Sequence, residues 1–207
     1  MTQDSGHDGG NKSHGDRATW GRGVTGALGR YLAFVAIGAL TALVGETQYS
    51  VFLRGDVDNL IGSVVVNVFY LTSIYLIFLM LRAALGQGFR PILTITLISG
   101  TAGLMIEWFL IGNSPWGNPD AIQSAMFAFW ACMAAVPAIL LERDSSLRPV
   151  KHRILLFAAV YTIAAAAGHG IANPDMHFAF HIWSFVFGYI ALLAICLVGY
   201  GRLHKAS

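Results

Sequence analysis

Leu60–Leu81 reads LIGSVVVNVFYLTSIYLIFLML, an uncharged run whose polar side chains are limited to Ser, Thr, Tyr and Asn67. A helix rises about 1.5 Å per residue, so about 20 apolar residues cross a hydrocarbon core of about 30 Å. The run has that length. Because lipid offers no partner to an unpaired backbone group, it reads as a transmembrane helix. Five further runs of similar length surround it: Tyr31–Leu53 before it, then Pro91–Gly112, Ile122–Leu141, Ile154–Ile171 and Met176–Tyr200. The fifth of the six segments in chain order is the weakest, because it ends in the mildly apolar Ala164-Ala165-Ala166-Ala167-Gly168.

Composition agrees. The chain is 56% hydrophobic and 12% charged, about half the charge of a soluble domain, and its mean hydropathy is +0.61. The expected fold class is all-α, a polytopic integral membrane protein of six transmembrane helices. Residues 1–29 read as a disordered polar tail, 30–202 as the membrane domain and 203–207 as a second short tail. No secretory signal is expected, since the first apolar run is too long and lacks a small-x-small cleavage site. The short loops leave no room for a separate soluble domain.

Lys and Arg set the direction. Twelve of the 13 fall before the first span, after the sixth, or in the connections between spans two and three and spans four and five; Arg54 alone lies on the other side. Under the positive-inside rule both termini are cytoplasmic, and the expected location is the cell membrane, plasma or bacterial inner. The bilayer is then an expected partner and nucleic acid is not. The Arg143–Arg153 connection suits contact with anionic lipid.

Several other features are read as packing. Cys132 and Cys196 lie apart inside apolar runs, outside any Cys-x-x-Cys arrangement, and suit buried hydrophobes. Gly38 with Ala42, Ser99 with Gly103 and Ala164 with Gly168 are small pairs that permit close helix contact. Pro137 predicts a kink in the fourth span. The outer stretch from Asn113 to Ala121, with Trp116, suits a compact cap at headgroup level. No internal repeat relates the two halves.

With topology assigned, depth follows from residue number. Glu46 lies about 10 Å below the outer end of its span, Asn67 about 11 Å, and Glu107 and His181 about 8 Å. His169 and His177 sit near the outer ends of spans five and six, joined by Asn173-Pro174-Asp175. His177 and His181, four apart, share one helical face. Intramembrane ionisable groups are costly and face an interior or a cavity. These residues therefore predict one outward-facing polar pocket. Each also has a packing role open to it: Glu46 toward Arg54, Glu107 at the interface beside Trp108, Asn67 between helices, and His169 at a helix C-terminus.

Three chemistries fit. In the first, His169, His177 and His181 hold a divalent metal such as zinc. Glu107, ahead of Glu46, then serves as general base, and Asp175 orients His177. The activity expected is hydrolysis of a small-molecule or lipid substrate reaching the site from the outer side. In the second, His169 and His181 are axial ligands of a b-type haem. In the third, Glu46, Glu107 and His181 titrate in proton-coupled binding or transport of a small solute. A non-catalytic binding or assembly subunit is the remaining class. The His177/His181 spacing resembles the His-x-x-x-His helix of ceramidase-type membrane hydrolases. That likeness covers two residues, and the chain lacks the seven spans and Ser-x-x-x-His partner of that family. Rhomboid-type proteolysis is excluded by the missing Gly-x-Ser-Gly at the fourth span, and a phosphate cradle by the missing Gly-x-x-x-x-Gly-Lys.

Overall fold

The computed structural model describes residues 13–113, 116, 120–171 and 176–204. Helix α1 (Ser13–Thr47) continues into a π-helical segment, Gln48–Leu53, and is followed by α2 (Val57–Leu85). Helix α3 (Phe89–Ile106) likewise continues into a π-helical segment, Glu107–Ile111. Helix α4 (Asp120–Leu140), a 3-10 turn (Ser145–Leu147), α5 (Arg148–Ile171) and α6 (His177–His204) complete the order. No strand occurs among the described residues.

Six helical stretches are long and apolar enough to cross a membrane: Gly26–Leu53, Val57–Leu85, Phe89–Ile111, Ile122–Leu140, Ser145–Ile171 and His177–Arg202. The apolar runs of the sequence overlap them, three passing an end by one residue (Gly112, Leu141 and Met176), and at most other ends the helices overshoot the runs. The clearest case is α5, which already includes Arg148, Lys151 and Arg153. Charged side chains at a helix end reach past the hydrocarbon, so hydropathy stops short of the helix. Asp144 caps the 3-10 turn that leads into α5, its carboxylate accepting from the Ser146 amide (2.8 Å). Asp56 does the same for α2, accepting from the Asn59 amide (2.9 Å).

Helix α4 is the centre of the bundle. Of its spanning stretch 78% is buried, against 17 to 33% in the other five. It packs against α3, α6 and α1. Its buried residues include Ala125, Ala128, Ala131, Ala134, Ala135 and Ala138. Helices in lipid gain no hydrophobic advantage from one another, so association depends on close van der Waals fit, and an alanine-rich surface permits it. The helix continues through Pro137 without a break, and the Leu141 amide donates to the Pro137 carbonyl (3.0 Å).

Large residues fill the grooves between small ones. Gly103 of α3 lies against the Trp130 indole of α4, and Gly168 of α5 against the Phe180 ring of α6; a Cβ at either glycine would overlap the ring. The outer surface is apolar, with Leu40, Phe69, Met80, Phe109, Ile163 and Phe187 all exposed. Such a surface is stable against lipid tails, and the bilayer is its partner.

Candidate functional site at the end of the first span

The π-helical segments begin at Gln48 and at Glu107, in the polar layer that the sequence places near one membrane face. A π turn widens the helix and re-aims the side chains that follow, and such turns are frequent at functional sites. Gln48 is 2% exposed. Its Nε2 donates to the Tyr161 hydroxyl of α5 (3.0 Å). That leaves Oε1 as acceptor, and it receives the Ser184 hydroxyl of α6 (2.9 Å). It also receives Nε2–H of His169 on α5 (3.4 Å). One amide thus ties α1 to two other helices.

The same contact selects a tautomer for His169. With Nε2 as donor, Nδ1 of the neutral ring carries a lone pair. The His169 ring is buried, stacked on Phe52 at 4.7 Å and 4°. Phe180 and His177 meet it edge-on, at 4.9 Å and 5.5 Å between centroids. His181 is also buried, between Tyr49 (5.9 Å) and Phe185 (5.6 Å). Nδ1 of His169 and Nδ1 of His181 are both buried with no hydrogen-bond partner. Such atoms normally have one, and a buried pair without partners calls for a physical reason.

The carboxylates lie elsewhere. Glu46 accepts from Nδ2 of Asn67 on α2 (3.4 Å). It also interacts with Ser63 and, electrostatically, with Glu107. Glu107 accepts the Trp130 indole N–H at Oε1 (3.1 Å) and Nδ2 of Asn113 at Oε2 (2.6 Å). Glu46 and Gln48 are two positions apart, so they point to nearly opposite sides of their helix. Glu46 faces α2, while Gln48 faces α5 and α6. The expected single pocket is therefore two clusters flanking the end of α1: carboxylates and amides on one side, imidazoles with Gln48, Tyr161 and Ser184 on the other.

Among the described residues, no three His, Cys, Asp or Glu side chains converge closely enough to enclose a metal. Asp175, the expected orienting group for His177, lies outside the described residues, as does most of the expected cap around Trp116. Gln48, Tyr161 and Ser184 were not singled out by sequence. A glutamine inside a spanning run, two residues from Glu46, was the available signal.

Arg54, the single basic residue of this end by sequence, lies with its guanidinium 4.7 Å over the Tyr49 ring. Six of the 11 acidic residues fall at this end by sequence (Glu46, Asp56, Asp58, Glu107, Asp120 and Asp175). A field of that sign attracts cations. No family model, no curated protein and no solved structure matches the chain.

Proposed function

We propose that this polytopic protein lies in the cell membrane with both termini cytoplasmic. In this reading His169, His177 and His181, which do not converge closely enough to enclose an ion in this structure, would draw together around a divalent metal, zinc before others, near the outer face. The observation that carries it is the pair of buried Nδ1 atoms on His169 and His181 without partners. Leaving such an atom unsatisfied costs about 1–3 kcal/mol, and a metal ligand removes the cost. Further support comes from the His169–Gln48 contact, because metal-binding histidines usually donate their other ring N–H to an oxygen acceptor. The acidic surroundings add to it.

A zinc held by three protein ligands would keep one position for water and would lower the pKa of that water to about 7. That is hydrolytic chemistry, and the substrate class it suits is membrane-proximal, a small molecule or lipid arriving from the outer side. Glu46 and Glu107 belong to the other cluster. They would serve neither as ligands nor as the immediate base; a metal held by the histidines would supply the activated water that hydrolysis needs.

Detergent-purified protein should contain about one zinc per chain by elemental analysis, as for a single mononuclear site. His181→Ala should lose it while keeping its helical circular dichroism. A folded and metal-free wild-type protein sinks the reading. The absorption spectrum of the same sample tests the haem alternative, because a Soret band lost in His169→Ala would assign these histidines to a haem.

Glu46 and Glu107, near enough for their charges to repel, favour one second reading, proton-coupled movement of a small solute. Its test is pH-dependent uptake in proteoliposomes. Flux unchanged in Glu46→Gln and Glu107→Gln removes it.

A further inference from the structure

At the opposite end of the bundle from the histidines, α1, α2 and the end of α4 enclose a cleft of about 640 Å³. That is within the roughly 300–1,000 Å³ of small-ligand sites. Its deep wall is aromatic: Phe34 lies 5.1 Å from Tyr75 and 6.0 Å from Phe78, ring to ring. Leu79 lines it too and is 45% exposed on the lipid-facing surface, so the cleft opens sideways toward hydrocarbon. Its rim is basic, formed by Arg30, Arg82 and Arg143 around a single carboxylate, Glu142.

The single acid is already engaged. Arg82 forms an ion pair with Glu142 (3.3 Å) and lies over the Phe78 ring (5.5 Å). Glu142 also accepts from the Arg143 backbone amide (3.3 Å), and its carbonyl accepts from Lys151. Arg30 and Arg143 are exposed, and neither forms an ion pair with a described carboxylate. Among the described residues, the rim therefore carries two guanidinium groups without an ion-pair partner beside an apolar, laterally open wall.

We propose that this cleft is a binding site for an anionic membrane phospholipid. The phosphate is held by Arg30 and Arg143, and an acyl chain lies along Phe34, Phe78 and Leu79. Guanidinium forks match phosphate oxygens in charge and geometry. Basic pockets between membrane helices suit anionic headgroups for the same reason. A soluble phosphate would use the rim and leave the aromatic wall empty. A zwitterionic lipid would use the wall without satisfying both charges. The anionic lipid alone uses both.

The test is titration of the full-length, detergent-purified protein with short-chain phosphatidylglycerol, phosphatidylcholine or glycerol phosphate, read by native mass spectrometry and by thermal shift. Retention and a raised Tm are expected with phosphatidylglycerol only. Arg30→Gln and Arg143→Gln should each weaken retention by about fivefold, from the attraction of one basic residue near a charged headgroup. Arg54→Gln, at the far end, should leave it unchanged. The proposal is overturned if phosphatidylcholine binds equally, if glycerol phosphate alone gives the full shift, or if the Arg30/Arg143 double variant binds as wild type. Both arginines are exposed, so their replacement leaves the fold intact and the result readable.

Discussion

Gln48 is the residue on which the imidazole side of the polar layer depends. Its amide satisfies Tyr161, Ser184 and His169 at once. Gln48→Leu would leave those groups buried without their partner, at about 1–3 kcal/mol for each that finds no substitute. The expected outcome is a clear fall in Tm in detergent, accompanied by loss of bound zinc if His169 relies on Gln48 for its tautomer. Retained zinc with a lowered Tm would limit Gln48 to helix packing. On the other side, Trp130→Phe removes the indole donor to Glu107 Oε1. Hydrogen bonds to charged groups contribute about 1.5–3 kcal/mol, so thermal unfolding should again move down. A common level for Glu46, Glu107 and the histidines was expected from sequence, since residue number counts rise along a helix. Their division between two clusters was not, because it depends on which neighbour each helical face meets.

At the scale of elements, the bundle relies on small residues that seat large ones. A Cβ at Gly103 would overlap the Trp130 indole. Gly103→Val should therefore destabilise by about 1–3 kcal/mol, the usual cost of overfilling a well-packed site. Gly62 offers the contrast: it is exposed on α2, and a Cβ there meets nothing within 4 Å. Gly62→Ala should be neutral or should stabilise by up to about 1 kcal/mol through helix propensity. Unfolding curves for both variants in one detergent check the pair. Equal effects would mean that the α3–α4 contact is looser than the ring position implies. The Ser99/Gly103 pair was readable as a place of close contact. That Trp130 was its occupant depended on how α3 and α4 are set against each other.

For the whole molecule, the asymmetry of charge makes the strongest forecast. Twelve of 13 basic residues lie at the end holding the termini and the phospholipid cleft, and Arg54 lies at the histidine end. In the proposed reading the positive-inside rule puts both termini in the cytoplasm. Reporters active only in the cytoplasm should work when fused at either terminus or between Glu142 and Arg148. A reporter inserted beside Gly55 should be silent. Activity at Gly55 with silence at both termini would invert the topology and move the histidine layer to the inner face.

The sequence alone determined the class of object, the number of spans and where each lies, to within about a turn and a half except at the start of the fifth, which begins nine residues earlier than its apolar run. The cause is the bilayer, which demands a continuous apolar run of set length for every crossing and so writes each helix into local composition. Local composition carries no record of which helix stands next to which. Only the tertiary structure placed the alanine-rich α4 at the centre and joined Gln48 to α5 and α6. It also turned Glu46 toward α2 and gathered Arg30, Arg82 and Arg143 over one aromatic wall. Those outcomes depend on the azimuth of each helix, set by close fit among side chains distant in the chain.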